Sequence, residues 1–180
     1  KVRQALLAAL DVKPMLQAAF GSPDFYRIDP SMMFKEQPMW TESGKELYNQ
    51  ANVAKAKQLL QEAGYKGQPI RWITTKEYPY MYKIALVASE QLKNAGLNID
   101  LQVVDWATIV QRRTNPGLWD IFSGATTFTP DPGVLPHLDA SWPGWWVNPQ
   151  KEELLVKLNT ELNADKRLQI WQEFQQLIWT

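Results

Sequence analysis

Hydrophobic positions switch between two spacings along the middle of this chain, and the switching predicts its architecture. Val53, Ala56, Leu59, Leu60 and Ala63 fall on one helical face, with Asn52 as an N-cap and Gly64 as the left-handed closing residue. Ile70–Thr75 is β-branched and aromatic, which suits a strand. Pro79 opens a second helix, in which Met81, Ile84, Ala85, Ala88, Leu92 and Ala95 recur at helical spacing until Gly96 ends it. Ile99, Leu101 and Val103 alternate with Asp100 and Gln102, the pattern of a half-exposed strand. Asp105 can cap a helix over Trp106–Thr114, which Asn115-Pro116-Gly117 stops, and Asp120–Gly124 reads as a short third strand. Strands alternating with helices predict an α/β fold with a largely parallel sheet flanked by helices. Open sheets of this kind bind ligands beyond the carboxyl ends of their strands.

The flanks are helical or irregular. Val2–Leu10 and Val12–Phe20 predict two short helices, the second with Pro14 in its first turn and Gly21 at its end. Ser22–Trp40 has three prolines and no periodicity, and is expected to wrap its own core more than to line a binding wall. Two helices close the chain. Leu154, Leu155, Leu158 and Leu162 give one apolar face; Leu168, Trp171, Phe174, Leu177 and Ile178 give another, with Asn163 or Asp165 as the cap.

Between the third strand and these helices lies Gly124–Pro149, GATTFTPDPGVLPHLDASWPGWWVNP. It carries four prolines between Pro130 and Pro143, three tryptophans, the only His, and no Lys, Arg or Glu. Pro and Gly make it loop and short helix. The topology puts it at the carboxyl edge of the sheet, where function concentrates on loops that a rigid scaffold presents.

Composition narrows the classes. A chain of 180 residues, 45% hydrophobic and 21% charged, can bury a core and suits one domain or one lobe of something larger. Its 19 Lys and Arg balance 19 Asp and Glu, so no basic face for nucleic acid or an anionic membrane is indicated. Absence of Cys removes disulfides, zinc–thiolate sites and cysteine nucleophiles. Neither a phosphate loop nor a dinucleotide fingerprint is present, and no apolar run is long enough to span a membrane. The opening KVRQALLAAL lacks Met and reads as the inside of a longer protein.

Four stretches carry a family resemblance. They are Val2-Arg3-Gln4-Ala5 with Asp11; Ala54-Lys55-Ala56-Lys57-Gln58-Leu59-Leu60 with Ala63-Gly64-Tyr65; Leu92-Lys93-Asn94-Ala95-Gly96-Leu97 with Asp105-Trp106; and Trp119-Asp120 through Asp131-Pro132, Asn148-Pro149 and Asp165-Lys166-Arg167. In this order they resemble the family 5 solute-binding proteins of ABC importers, the group with dipeptide, oligopeptide and nickel receptors. The resemblance implies one lobe of a type II periplasmic-binding-protein fold. Residues 1–180 would form a single carboxyl-terminal lobe, without the amino-terminal lobe and returning strands. It also implies a monomeric receptor, periplasmic or extracellular and with or without a lipid anchor. The receptor would close on a small-molecule solute and dock on membrane permease subunits, with no cofactor, no metal, no nucleic acid and no catalysis.

One departure bears on the ligand. In peptide-binding members an Asp three positions before the Asp/Glu-Pro pair receives the ligand's amino terminus; the matching position here is Phe128, among Thr126, Thr127 and Thr129. A phenyl ring cannot pair with an ammonium as a carboxylate does. A peptide-like, opine-like or sugar-like solute is expected in place of an ordinary peptide with a free amino terminus. Candidate ligand contacts are Phe128, Thr126, Thr127, one of Trp142, Trp145 and Trp146, and Arg112. Each has a structural alternative: Phe128 and the tryptophans can pack the loop onto the domain, and Arg112 can serve its helix end. Asp131-Pro132 reads as a helix start and His137 as a packed or surface histidine. Other roles for such a segment are the sensing lobe of a regulator or a carbohydrate-active enzyme domain. For the last, only Asp131 and Asp139 offer acids in the loop.

Overall fold

The computed structural model describes residues 1–180. Seven helices and three strands follow one another as α1 (Val2–Ala9), α2 (Val12–Phe20), α3 (Val53–Glu62), β1 (Ile70–Thr74), α4 (Pro79–Asn94), β2 (Ile99–Val103), α5 (Trp106–Arg112), β3 (Ile121–Phe122), α6 (Pro149–Thr160) and α7 (Ala164–Trp179). The residues fall into two compact units. Lys1–Ile28 with Asn49–Gly124 form the first, and Asp29–Tyr48 with Ala125–Thr180 form the second.

In the first unit the three strands make one parallel sheet in the order β2-β1-β3. Ile70 to Thr74 pair in register with Ile99 to Val103, and Trp72 and Ile73 pair with Ile121 and Phe122. The strand predicted over Asp120–Gly124 is assigned only at its centre. Its ladder still extends outward, because Asp120 N donates to Arg71 O and Ser123 N to Ile73 O, both at 2.9 Å. Ala85, Ala88, Leu92 and Ala95, the periodic face of α4, are buried together with Ala5, Ala8, Ala56, Leu60, Trp72 and Ile99. Small Ala side chains at these positions let helices approach closely. Asn52 caps α3 by accepting from Lys55 N, and Asp105 caps α5 by accepting from Thr108 N. Gly64 and Gly96 take positive φ after α3 and α4, as the helix-closing pattern requires.

Some expected core positions are exposed. Val53 and Ala63 sit at the two ends of α3 and face solvent, so its buried seam is Ala56 and Leu60 with Leu59 half-buried. Val103 is exposed at the end of edge strand β2, and α5 stops at Arg112, before Thr114.

The second unit holds a separate core of Met33, Met39, Leu135, Leu138, Leu154, Leu158, Trp171 and Phe174. Met33 and Met39 come from the irregular segment, which wraps this core as its composition predicts. Gln175, fully buried in α7, ties that segment down. Its Nε2 donates to Thr41 O (3.0 Å) and Ser43 O (2.8 Å), while its Oε1 accepts from Met32 N (3.1 Å) and Ser31 Oγ (3.4 Å). Asn163, not Asp165, caps α7, accepting from Lys166 N at 3.0 Å. Leu162 is 97% exposed, against expectation. The helix ends at Thr160 and Glu161 turns extended, so Leu162 leaves the face that Leu154 and Leu158 share.

Candidate functional site

The order β2-β1-β3 creates a switch point. From central β1 the chain moves to β2 on one side and then to β3 on the other. Connections that leave in opposite directions open a crevice at the carboxyl ends of the two strands, here β1 and β3. Three hydroxyl residues stand there. Thr74 and Thr75 are fully buried and Ser123 is nearly so. The Trp72 indole N–H donates to Ser123 Oγ (3.1 Å), which donates in turn to Thr74 Oγ1 (2.9 Å). Thr75 Oγ1 accepts from Glu77 N (3.2 Å), setting the turn that starts α4. Ser123 and Thr74 thus pair with each other while Thr75 holds the following turn; none is paired with a base that would make it a nucleophile.

The loops leaving β1 and β2 place a run of aromatic rings on the same unit. Trp106 meets Tyr78 edge to face at 5.1 Å and 85°, and Tyr78 meets Tyr80 at 6.2 Å. Tyr80 stacks on Phe20 at 6.0 Å and 20°, and Phe20 contacts Tyr26 at 6.5 Å. Phe20 and Tyr78 remain 38% and 39% exposed, far more than rings filling a core. Glu77 fixes this corner, because its Oε1 accepts from Trp106 N at 3.2 Å. Sequence reasoning missed this strip. Its signal was present in Tyr78-Pro79-Tyr80, aromatics flanking a helix start just beyond a strand's carboxyl end, with Trp106 at the equivalent place after β2.

In the second unit, Phe128 is 66% exposed and stacks on Phe34, itself 54% exposed, at 5.8 Å and 15°. Gln37 holds the pair's backbone by donating from Nε2 to Thr129 O at 2.8 Å. Phe128 therefore does not pack beneath its loop; it offers a ring edge and face to solvent with Phe34 behind it. Thr126 and Thr127 are exposed beside it, and Thr127 O accepts from Thr129 Oγ1 at 3.2 Å.

The tryptophans divide. Trp146 packs against the second core, 6.4 Å from Phe174, with the Lys151 ammonium 5.7 Å from its ring centre. Lys151 is itself fully buried and donates to Leu138 O at 2.8 Å. Trp146 thus has the packing expected of a loop plug, while remaining half-buried like the other two. Trp142 and Trp145 are half-buried in a turn closed by Trp145 N donating to Trp142 O at 2.8 Å. Trp145 has φ of 44°, in the left-handed region that a bulky residue adopts only when its surroundings hold it there.

Arg112 lies in the first unit, apart from the other candidates in the chain's division, and its Nη1 donates to Gln102 Oε1 at 3.3 Å. It also stands in the last turn of its helix, where a positive charge suits the helix end, and its bond to Gln102 of β2 is a contact not foreseen from the sequence. Asp131 caps its short turn, accepting from Gly133 N (2.8 Å), and takes a two-pronged ion pair from Arg167, which also donates to Leu158 O. The Arg167 guanidinium holds the Asp131 carboxyl below its ordinary value. His137 is half-buried, and burial pushes its pKa down. No group of three or more His, Cys, Asp or Glu gathers to hold a metal ion.

The switch point between β1 and β3 and the exposed rings near it are the features that a comparison with known proteins has to account for. The chain belongs to the bacterial extracellular solute-binding proteins of family 5, whose middle region matches residues 1–145. It is 30% identical, over 99% of its own length, to the Sinorhizobium fredii protein named "Probable peptide ABC transporter periplasmic-binding protein y4tO". It is 29% identical to the oligopeptide-binding protein AppA of Bacillus subtilis over 98% of its length. Among solved structures it superposes on the ABC transporter substrate-binding protein CtaP of Listeria monocytogenes with a TM-score of 0.88 and 25% identity, covering 98% of this chain and 37% of that one. The chain spans 36% and 35% of the length of the two curated relatives. The fold is thus α/β, a parallel sheet flanked by helices as in one portion of a periplasmic binding protein. No helix is long and apolar enough to cross a membrane.

Proposed function

We propose that this chain is the carboxyl-terminal lobe of a two-lobed receptor that captures a small solute and delivers it to the permease of an ABC importer. The receptor works in the periplasm or at the cell exterior, and its mechanism is capture without catalysis. Solute enters an open cleft, both lobes of the complete receptor contact it, and hinge closure buries it. Closure is favoured only by contacts that the closed state makes and the open state lacks. The observation that carries the reading is the family match over residues 1–145, joined to exposed rings at strand ends where an open parallel sheet places its ligands.

The solute is a peptide-like, opine-like or sugar-like compound, not an ordinary peptide with a free amino terminus. Phe128 supports this part: it is open to solvent, backed by Phe34, and its neighbours Thr126, Thr127 and Thr129 bring hydroxyls without charge. The relatives y4tO and AppA are named for peptides, which keeps peptide-like chemistry in view. Calorimetry of the full-length receptor against dipeptides, oligosaccharides, opine-like conjugates and nickel chelates tests the reading. Tight dipeptide binding, unchanged by Phe128→Ala, would overturn the ligand assignment.

A further inference from the structure

The corner between Tyr78 and Trp106 has a chemistry of its own. The rings stand nearly perpendicular, so two aromatic faces bound one open angle, and Tyr80 extends the wall at 53° to Tyr78. Glu77 sits on the rim. One of its oxygens accepts from the Trp106 backbone N, which holds the carboxylate beside the corner. Asp105, the residue before Trp106, adds a second negative charge, held by Thr108 N and Thr108 Oγ1 at 2.7 Å each. Of the nearby cations, Lys76 lies over the Tyr82 ring at 5.0 Å, and Arg112, which donates to Gln102 Oε1, acts electrostatically on Asp105. Ring faces carry negative potential and attract cations, most strongly where water is excluded.

We propose that the Tyr78–Trp106 corner, with Glu77 on its rim, seats a methylated ammonium or similarly bulky, weakly hydrated cation of the captured solute. The inference rests on the solute-capture reading and adds a charge to the ligand class. A primary ammonium fits this corner poorly. Its three N–H donors need lone pairs, and ring faces supply none. A fully methylated ammonium has no donor to satisfy, spreads its charge over methyl groups, and contacts both ring faces at once. Its positive charge is met through space by Glu77, with Asp105 partly offset by Arg112.

The test compares choline with 3,3-dimethylbutan-1-ol, which has the same shape without the charge. Both are titrated into the full receptor while the Trp106 indole N–H is followed by NMR, with Trp106→Phe assigning the signal. Choline should saturate the shift, and the neutral isostere should bind about tenfold more weakly. Glu77→Gln, which keeps the acceptor for Trp106 N, should weaken choline by about fivefold. Equal affinities for the two probes, or no effect of Glu77→Gln, would overturn the cation assignment and leave solute capture standing. A neutral oligosaccharide or dipeptide that saturates the same signal more tightly than choline does the same. If no compound, charged or neutral, moves any ring signal, both the corner and the capture reading fail.

Discussion

Replacing Gln175 by Met should destabilise the second unit more than any other near-isosteric change in it. The amide spends all four of its hydrogen-bonding positions on the wrapped segment: Thr41 O, Ser43 O, Met32 N and Ser31 Oγ. Met fills nearly the same volume, so cavity formation contributes little. What is lost is pairing. Ser31 is half-buried, so its hydroxyl proton can turn to water while its oxygen keeps accepting from Met33 N and Thr41 N. Met32 and Ser43 are half-buried, and water can reach their orphaned groups at a cost of roughly 1 kcal/mol each. Thr41 is buried, so its carbonyl incurs a desolvation cost of about 2 kcal/mol. The sum is about 4 kcal/mol, offset by roughly 1 kcal/mol from burying the thioether in place of an amide. A net loss of about 3 kcal/mol is a large part of a domain's total stability. Urea unfolding read by tryptophan fluorescence reports it, since Trp40, Trp146, Trp171 and Trp179 lie in this unit. With m of about 2 kcal/mol/M, the midpoint should fall by roughly 1.5 M. A change below about 0.5 M would refute the claim that this amide pins the wrapped segment. The effect reaches the candidate site, because the same segment carries Phe34 and Gln37, which back and anchor the Phe128 loop. Protease cleavage within 29–48 should accelerate in the variant at urea concentrations that leave the first unit folded.

Other changes give independent checks. Gly44 has φ of 82°, and a Cβ there would land on the Trp179 indole, whose N–H donates to Pro30 O at 3.1 Å; Gly44→Ala should cost about 2–3 kcal/mol in the same urea experiment. The Asp131 pKa lies below its ordinary 3.8, so its pair with Arg167 contributes stability that is present above that value and is lost as pH falls through the lower folded value. Asp131→Asn should therefore flatten the acid limb of the stability curve and cost roughly 1 kcal/mol at neutral pH. His137 is also depressed, so its neutral form favours folding: stability is full above pH 6.5 and falls as pH drops toward the folded value, and His137→Gln should remove that slope. The 180-residue chain alone should bind the receptor's solute at least about 100-fold more weakly than the full-length protein, because ligand pockets bury most of their ligand; equal affinity would refute capture between lobes.

Periodicity along the chain determined most of the local structure. The face of α4, the caps Asn52 and Asp105, and the strands β1 and β2 were legible because each depends on neighbours three or four residues away, or on alternation within five. Errors gathered where local preference ends and packing begins. Leu162 carries the spacing of α6 but lies beyond its last turn, so a four-residue rule misplaced it. The choice of Asn163 over Asp165 as a cap depended on where α7 starts, which propensity leaves open. The candidate site was only half legible. Phe128 stood out against the family pattern, yet its partner Phe34 is remote in sequence, and only the fold made the two a stacked pair. Composition left open which of Trp142, Trp145 and Trp146 packs the loop, and only the fold shows Trp146 against Phe174 and Lys151.

The sequence by itself determined the family, the alternation of strand and helix, and a loop too aromatic and too poor in charge to be ordinary solvated surface. These depend on residue type and short spacing, which a linear chain displays directly. Only the tertiary structure decided which rings share a surface. Phe20 and Tyr26 reach Tyr80, Tyr78 and Trp106 because parallel pairing of β1 and β2 puts the starts of α4 and α5 side by side. No spacing rule encodes that meeting, since parallel neighbours are separated by a whole crossover helix.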